Sequence, residues 1–449
     1  MSSFSTYNPA TGEVVKKFEH LSWEKSEHAI FSAHQDFQIW RKKSFAERSK
    51  VLVDLAVSLR AHKDRLAEQM HLEMGKLLEE GRAEVEKCAV TCEYFAKEAP
   101  GFLANQKSSS PYNDAEVSFQ PLGVIFCIMP WNFPLWQTIR FAAPALMAGN
   151  VVVLKHADLT AGTAEMLGKI FADLTSDLQL LRNCQVDHEV AEKIIGHSLV
   201  RGVTFTGSTA GGRSVATTAA KNLKKIVLEL GGSDAYLILE DADIAMAAKA
   251  CAKTRLQNCG QSCVAGKRFI VVEKVATEFI RLYVDEMKKT EIAPLASKKF
   301  QEQIITQVEK LKNWGGKVVL GGTAPRNDGA FYPPTVLVFE KNHPDLHKEE
   351  VFGPVGSVII VKNAAEAVEV ANSSPYGLGG GVFTRDLQKG KALVEKELEA
   401  GFVVVNDYVK SDPRVPFGGV KESGYGRELG HFGILEFVNI KTVGVGASS

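Results

Sequence analysis

The chain has 449 residues, of which 45% are apolar and 24% are charged. This balance is typical of a globular protein, and the length predicts two or more domains. Lys and Arg total 53 and Asp and Glu also total 53, so the charge gives no indication of a nucleic acid or an anionic membrane as partner.

The N-terminal stretch indicates a cytoplasmic protein. It reads MSSFSTYNPATGEVVKKFEH and lacks the apolar core of a secretory signal. No uncharged apolar run approaches the roughly 18 residues that a membrane span needs. The seven cysteines are an odd number, so we expect reduced thiols and no disulfide framework.

The first half of the chain reads as helices followed by an alternation of strands and helices. From Trp23 to Lys97 the apolar residues recur at helical spacing, which predicts several amphipathic helices. Strands are then predicted at 124–128, 151–154, 201–205 and 225–228, with helices at 135–147, 161–174 and 209–220. Such alternation predicts a parallel α/β sheet.

The second half follows the same pattern, with predicted strands at 268–272, 317–320, 357–361 and 401–405 and a helix at 275–289. Two α/β domains without a loose linker fit this pattern best. The stretches Glu116–Gln120 and Lys441–Val445 alternate polar and apolar residues and fit neither domain. They are either strands that pair outside the main bodies, as in an oligomer, or solvated segments.

Two motifs follow predicted strands and could bind a ligand. The segment TFTGSTAGGR, residues 204–213, places Ser208 and Thr209 where they can cap a helix, whose N-terminus attracts phosphate. The usual glycine fingerprint for dinucleotides is absent, and a plain strand-to-helix turn is the alternative. Lys155 and Asp158 close another strand and could hold ribose hydroxyls, or form a solvated pair.

Two further residues have catalytic interpretations. Asn132, in the rigid loop MPWNFP, could stabilise an oxyanion with its amide or form an Asx turn. Glu229 ends an apolar strand in VLELGG, where burial would raise its pKa and make it a general base. The alternative for Glu229 is an ordinary hydrogen-bonded carboxylate.

The segment QNCGQSCVAG, residues 257–266, contains Cys259 and Cys263. No second Cys or His pair follows at ligand spacing, so we expect no metal. A disulfide would be unusual in a reducing compartment. Each cysteine could be a buried structural residue, but the small and polar neighbours favour an accessible thiol for at least one.

The motifs together resemble those of the aldehyde dehydrogenase superfamily, in the family's order and over nearly the whole chain. They are PWNFP at 130–134, Lys155, TFTGST at 204–209, LELGG at 228–232, GQSC at 260–263, EEVFGPV at 349–355 and PFGGVKESGYGREL at 416–429. The segments MPWNFPLWQ, GNVVVLKHA, LELGGSD and SDPRVPFGG resemble more closely the bacterial-type NAD(P)-dependent succinate-semialdehyde dehydrogenases.

The resemblance implies an α/β fold of two Rossmann-like domains with a small β element for oligomerisation. It implies an NAD(P)-binding domain at 1–107 and 122–231, a catalytic domain at 232–424, and oligomerisation strands at 108–121 and 437–449. A homodimer or homotetramer is expected, with no nucleic acid or membrane partner.

The resemblance also implies the catalytic residues. Cys263 is the nucleophile that attacks the aldehyde to give a thiohemiacetal and then a thioester. The Asn132 amide and the Cys263 backbone N–H hold the oxyanion. Glu229 activates the water that releases the acid.

The resemblance further implies a binding site for a nicotinamide cofactor. NAD is the expected cofactor and NADP the alternative, because Asp158 stands where many NAD enzymes carry Glu. By resemblance, Lys155 and Asp158 contact the adenosine ribose, and Gly207 and Ser208 contact the pyrophosphate. The residues implied at the nicotinamide end are Trp131, Leu230, Glu350 and Phe352.

For the substrate, Arg140 matches an arginine that binds a distal carboxylate, or it is a surface helix charge. Gln257 stands where many succinate-semialdehyde dehydrogenases have an arginine, and Arg255 is out of register. Further pocket candidates are Ser411, Arg414 and Phe417.

Succinate semialdehyde is the expected substrate. A broader aliphatic or aromatic aldehyde range and a catalytically silent cofactor-binding protein are the alternatives. Cys259 either forms a reversible disulfide with Cys263 or fills space.

Overall fold

A computed structural model describes residues 2–112, 114–325 and 329–446. Residue 113 of the predicted segment 108–121 and residues 447–449 of the segment 437–449 lie outside the described residues. In the described part no helix is long and apolar enough to cross a membrane.

The helices begin with four in the N-terminal quarter and then alternate with strands. They are α1 (Trp23–Trp40), α2 (Phe45–Ala61), α3 (Lys63–Met74), α4 (Leu78–Phe102), α5 (Pro134–Met147), α6 (Ala161–Ala172), α7 (His188–Gly196), α8 (Thr209–Lys221), α9 (Ile244–Leu256), α10 (Glu273–Lys289), α11 (Lys298–Asn313), α12 (Ala364–Asn372), α13 (Leu387–Lys396) and α14 (Gly430–Leu435).

The strands form three larger sheets and two small pairs. They are β1 (Ser3–Tyr7), β2 (Val14–Glu19), β3 (Gln106–Lys107), β4 (Asp114–Pro121), β5 (Val124–Met129), β6 (Val151–His156), β7 (Leu181–Asn183), β8 (Val200–Thr206), β9 (Lys225–Glu229), β10 (Ala235–Ile238), β11 (Arg268–Val272), β12 (Lys317–Leu320), β13 (Thr335–Phe339), β14 (Val355–Val361), β15 (Tyr376–Gly377), β16 (Gly379–Phe383), β17 (Phe402–Val405), β18 (Val420–Lys421), β19 (Gly424–Tyr425) and β20 (Val438–Val445).

The predicted amphipathic helices are present between residues 23 and 102. In α1 the buried stripe includes Ile30, Ala33, Phe37 and Trp40, which is the spacing seen in the sequence. Helix α2 starts with a capping box, in which Glu47 N–H donates to Ser44 Oγ at 3.3 Å and Ser44 N–H donates to Glu47 at 2.8 Å. Helix α1 packs against the first sheet, while α2, α3 and α4 pack on α5 and α6 and extend the same apolar core.

The first sheet has the order β19-β9-β8-β5-β6-β7, and all its strands are parallel except β19. Its carboxyl ends lead into the segments 129–134, 155–158, 206–208 and 229–232. Parallel strands end at one edge of a sheet, so the fold brings four motifs together that are far apart in sequence.

The second sheet has the order β12-β13-β14-β11-β10-β16-β17, parallel except for β12. The predicted strands at 268–272 and 317–320 are present as expected, whereas β10, β13 and β16 are additional. Strand β16 starts with three glycines, which read as a breaker in the sequence. A Cβ on Gly381 would lie 2.9 Å from the Tyr236 ring, so the glycine lets this ring pack against the strand.

The two stretches that fitted neither domain are both strands, and they pair with each other. Strands β20 and β4 are antiparallel, from Val438 opposite Pro121 to Val445 opposite Asp114. The alternative of solvated segments is therefore wrong. Ile440 and Val445 are 58% and 56% exposed, so this small sheet leaves apolar side chains uncovered. The N-terminal hairpin of β1 and β2 was not predicted.

Candidate active site

Two cavities meet at Cys263. The first, of about 260 Å³, reaches Ser208 at the start of α8 and is called the helix-end cavity. The second, of about 400 Å³, contains Lys87 in its wall and is called the lysine cavity. Cys263 and Gln137 belong to both walls. The predicted residues in the helix-end cavity are Trp131, Asn132, Gly207, Ser208, Glu229, Leu230, Glu350 and Phe352, and those in the lysine cavity are Arg140, Gln257, Ser411 and Phe417.

The two cysteines of the segment 257–266 differ in their surroundings. Cys263 is partly exposed, whereas Cys259 is buried in an apolar cluster that includes Leu295 and Ile304. All seven cysteines are free thiols in the structure. Burial raises the pKa of Cys259 strongly, which suits a space-filling residue. Its proposed redox role stays a hypothesis.

Desolvation also controls the ionisation of Cys263. Burial raises the pKa of its thiol to about 11, and the positive charges of Arg140 and Lys267 oppose this shift. Only the thiolate is strongly nucleophilic, so Cys263 has to lose its proton before it can attack a substrate.

Alkylation of Cys263 by iodoacetamide is therefore expected to accelerate about tenfold per pH unit between about pH 7 and pH 9, because the thiolate fraction grows at that rate below the pKa. The measurement is the rate of modification of the Cys263 peptide by mass spectrometry, with Cys263→Ala as blank. A rate that reaches a plateau below pH 9 would contradict the raised pKa.

Glu229 ends β9 as a buried carboxylate. Neither of its oxygens has a hydrogen-bond partner among the described residues. Burial raises its pKa well above the usual range, the nearby Glu428 raises it further, and Arg140 opposes the shift. A carboxylate with a raised pKa and free lone pairs can take a proton from water.

Asn132 is fixed from several sides. Its Nδ2 donates to the Gln261 carbonyl at 3.1 Å, which leaves one N–H of the amide free. Its Oδ1 accepts no hydrogen bond from the described residues, so the Asx-turn alternative is excluded. Its own carbonyl oxygen accepts from Lys76 Nζ at 3.0 Å and from Asn258 Nδ2 at 2.8 Å.

A buried ion pair that the sequence analysis did not find supports the Asn132 loop. Lys76 pairs with Glu84, and both side chains are almost fully buried. Glu84 also accepts from the backbone N–H groups of Leu135 and Trp136, each at 2.9 Å, and so caps the N-terminus of α5. The local pattern gave no signal for a pair that forms only when α3, α4 and the loop pack together.

Replacing Lys76 with methionine is expected to lower the free energy of unfolding by about 3–5 kcal/mol, because Glu84 is left as a buried charge without its partner. The exposed pair of Lys50 and Asp54 is the matched control, and Lys50→Met should cost less than about 1 kcal/mol. Urea unfolding measures both. Similar losses of unfolding free energy in the two variants would show that burial of the Lys76–Glu84 pair does not determine its contribution to stability.

The helix-end cavity has the features of a phosphate and nucleoside site. Ser208 caps α8, with Gly211 N–H donating to its Oγ at 3.2 Å. A Cβ on Gly207 would lie 2.6 Å from the Phe205 ring, so only glycine fits at this approach. Glu350 accepts from Gly232 N–H at 3.0 Å and lies 3.6 Å from Lys267 Nζ.

Aromatic side chains close the other end of this cavity. The Trp131 ring lies 4.6 Å from the Phe300 ring and 5.9 Å from the Phe352 ring, measured between centroids. Phe300, in α11, was not found by the sequence analysis because its helical position looks like an ordinary core residue.

Lys155 lies near the end of β6 and Asp158 follows this strand, and neither residue is in the described wall of either cavity. The Asp158 carboxylate accepts from Gln185 Nε2 at 2.6 Å and lies 3.2 Å from His20 Nε2. Burial lowers the pKa of Lys155. The Asp158 side chain is 44% exposed, so the role of these two residues at a ribose stays a prediction.

On the lysine-cavity side, Arg140 is 1% exposed and forms an ion pair with Glu428. Its Nη2 lies 3.4 Å from Thr206 Oγ1, and its guanidinium carbon lies 4.8 Å from the centroid of the Phe417 ring. The alternative of a surface helix charge is therefore wrong. Glu428 was missed because nothing in the local sequence links it to Arg140.

The remaining substrate candidates differ in whether they line the lysine cavity. Gln257 is exposed and lies in the wall of the lysine cavity. Arg255 is buried, donates to the Gly260 carbonyl and is not part of that wall. Arg414 is exposed and paired with Asp412 at 2.6 Å, also outside it. Ser411 accepts from Lys87 Nζ at 2.6 Å.

A partly exposed thiol, an unpartnered buried carboxylate and a fixed side-chain amide surround a cavity that starts at a helix N-terminus. These features define a class of enzyme in which a cysteine nucleophile acts beside a phosphate-bearing cofactor. In the described part of the chain, no group of three or more His, Cys, Asp or Glu side chains is placed to hold a metal.

The chain belongs to the aldehyde dehydrogenase family, whose model matches residues 1–443. It is therefore an enzyme that oxidises aldehydes. It is 41% identical to the NADP+ succinate-semialdehyde dehydrogenase 1 of Mycobacterium bovis (strain BCG / Pasteur 1173P2), over 98% of this chain and 99% of that one. It is 38% identical to the NAD(P)+ succinate semialdehyde dehydrogenase Sad of Escherichia coli (strain K12), over 97% and 96%.

Solved structures confirm the predicted fold. A succinic semialdehyde dehydrogenase from Streptococcus pyogenes, in complex with NADP+, matches with a TM-score of 0.96 at 35% identity, covering 99% of this chain and 100% of that one. A betaine aldehyde dehydrogenase from Staphylococcus aureus, in complex with NAD+, matches with a TM-score of 0.93 at 30% identity, covering 98% and 94%.

Proposed function

We propose that this enzyme oxidises succinate semialdehyde to succinate with NAD(P)+. The observation that carries the substrate assignment is the lysine cavity, which places cationic side chains in one wall with Cys263. The relatives from Mycobacterium bovis and Escherichia coli carry this activity in their names over nearly their full lengths.

The reaction would start at Cys263. Its thiol first gives its proton to water, and the thiolate then attacks the aldehyde carbon and forms a C–S bond while the carbonyl oxygen becomes an oxyanion. The free N–H of the Asn132 amide and the backbone N–H of Cys263 donate to this oxygen. The rigid support from Lys76 and Asn258 keeps Asn132 in place without reorganisation.

Glu229 would complete the turnover. A bound NAD(P)+ would supply the hydride acceptor for this oxidation, and the product held on Cys263 is a thioester. Glu229 then takes a proton from water as the water oxygen attacks the thioester carbon. The thiolate leaves and the acid is released, so one aldehyde, one NAD(P)+ and one water give one acid, one NAD(P)H and one proton.

The residues of the helix-end cavity fit the nicotinamide half of the cofactor. The N-terminus of α8, with Ser208 and Gly207, suits the pyrophosphate. Glu350 would accept from the nicotinamide ribose hydroxyls, while Leu230, Trp131 and Phe352 would surround the ring.

At the adenosine end, Lys155 and Asp158 would contact the ribose. The hydrogen bonds from Gln185 and His20 hold the Asp158 carboxylate in place and favour its charged form, which suits a free ribose hydroxyl. The relatives from Mycobacterium bovis and Streptococcus pyogenes are described with NADP+. NAD is the expected cofactor, and we infer that NADP is accepted as well.

We also propose that residues 1–107 and 122–231 form the cofactor-binding domain and residues 232–424 the catalytic domain. The exposed apolar side chains on the sheet of β4 and β20 support a role of this sheet in a homodimer or homotetramer. A cytoplasmic location stays a prediction.

The enzyme is expected to oxidise succinate semialdehyde with a kcat/KM at least about 100-fold above that for butanal, because a paired carboxylate contributes roughly 2–5 kcal/mol. Steady-state kinetics with each aldehyde and with benzaldehyde, using NAD and NADP in turn, measure this. Equal efficiencies for the charged and uncharged aldehydes would overturn the substrate proposal and favour a broad aldehyde range.

A further inference from the structure

Lys87 is a partly buried cation that the reaction described above does not use. It lies on α4, and its side chain belongs to the same cavity wall as Cys263. Its Nζ donates to Ser411 Oγ at 2.6 Å and lies 3.9 Å from the centroid of the Trp136 indole. A hydroxyl and an aromatic face hold the ammonium in place but do not neutralise it.

The other cations of this wall already have carboxylate partners. Arg140 is paired with the buried Glu428, and Lys410 lies 2.8 Å from the Asp407 carboxylate. Among the described residues, Lys87 has hydrogen-bond and ring contacts but no carboxylate within ion-pair distance. A partly desolvated charge without a counter-ion attracts an anion, so an anion that enters the cavity would be stabilised at this point.

We propose that Lys87, together with Ser411, binds the anionic group at the far end of the aldehyde substrate. This inference rests on the proposed function and deepens it. Position 257 holds glutamine instead of the arginine found in many succinate-semialdehyde dehydrogenases. Lys87, on α4, would take over the role of that arginine. Arg140 is paired with Glu428. It would therefore line the cavity and add to the positive potential there, while Lys87 makes the direct contact with the substrate anion.

The electrostatic setting of Lys87 fits this role. Burial lowers the pKa of its ammonium to about 8, and Arg140 lowers it further, while Glu84 and Asp412 act in the opposite direction. A bound carboxylate would add the counter-charge that favours the ammonium. The charged and titratable groups that face Lys87 or line its cavity are Glu80, Glu84, Cys88, Arg140, Cys263, Tyr408, Lys410 and Asp412.

The direct test compares two aldehydes of equal length, succinate semialdehyde and butanal, in wild type and in Lys87→Met. Methionine keeps most of the length of the unbranched side chain and removes its charge. We expect kcat/KM for succinate semialdehyde to fall on the order of 100-fold, mostly through KM, while the value for butanal changes less than about threefold. Lys97→Met, on the exposed side of the same helix, is the control and should match wild type.

The outcomes separate this inference from the proposed function. If wild type shows no preference for the carboxylated aldehyde, both are overturned. If wild type shows the preference and Lys87→Met retains it, the Lys87 assignment alone is wrong.

A second readout does not depend on the stability of the methionine variant. Succinate, as a competitive inhibitor against butanal, should lose affinity above about pH 8 in wild type, as Lys87 loses its proton. In Lys87→Arg the cation stays charged, so the inhibition constant should remain constant up to about pH 10. Identical pH profiles for the two proteins would overturn the assignment.

Discussion

Replacing Cys263 with alanine is expected to abolish NAD(P)H formation, with a loss on the order of 10⁴-fold or more, because no other nucleophile can form the thioester. Cys263 is the partly exposed cysteine, and the other six are buried. The measurement is the initial rate of absorbance increase at saturating aldehyde and cofactor.

Cys259→Ala is the matched control. Cys259 lies four residues away in an apolar cluster, so this variant should retain activity within about threefold, apart from a modest loss of stability. Turnover that persists in Cys263→Ala would exclude the covalent mechanism. A silent wild-type protein would instead support the alternative of a cofactor-binding protein without catalysis.

Replacing Glu229 with glutamine is expected to separate the two halves of the reaction. The hydride step should still occur, because Cys263 and Asn132 are intact, but hydrolysis of the thioester should slow by about 10²–10⁴-fold. Stopped-flow spectroscopy should show a burst of about one NAD(P)H per site followed by a much slower steady rate.

The buried position of Glu229 sets the pH dependence of the second half. Because its pKa is raised, the carboxylate form and the hydrolysis rate should increase as the pH rises through that pKa. In Glu229→Gln this dependence should disappear. A variant that turns over at the wild-type rate, with no burst, would assign water activation to another group. Glu189→Gln, an exposed change, controls for general effects of the substitution.

The sequence predicted most of the fold, and the failures have physical causes. Apolar runs such as 124–128 and 268–272 predicted strands, because buried parallel strands read as continuous apolar stretches. Strand β16 was missed because its glycines, which admit the Tyr236 ring, look like a turn. The pairing of β4 with β20 was left open, since no local pattern specifies a partner so distant along the chain.

The motifs at the strand ends predicted many of the residues that line the helix-end cavity, but Lys155 and Asp158 lie outside its wall and Phe300 was missed. These motifs can be recognised in the sequence because the residues of each motif lie on one short segment. Lys76 with Glu84, Arg140 with Glu428, and Lys87 with Ser411 could not be found in this way. Each pair joins different elements, so only the packed structure shows which charge is compensated and which is not.

The most direct test of the mechanism is intact-protein and peptide mass spectrometry of Glu229→Gln after mixing with succinate semialdehyde and cofactor. We expect one succinyl group per chain, attached to the peptide that contains Cys263 and lost on treatment with hydroxylamine. No adduct, or an adduct on another residue such as Cys259, would contradict it.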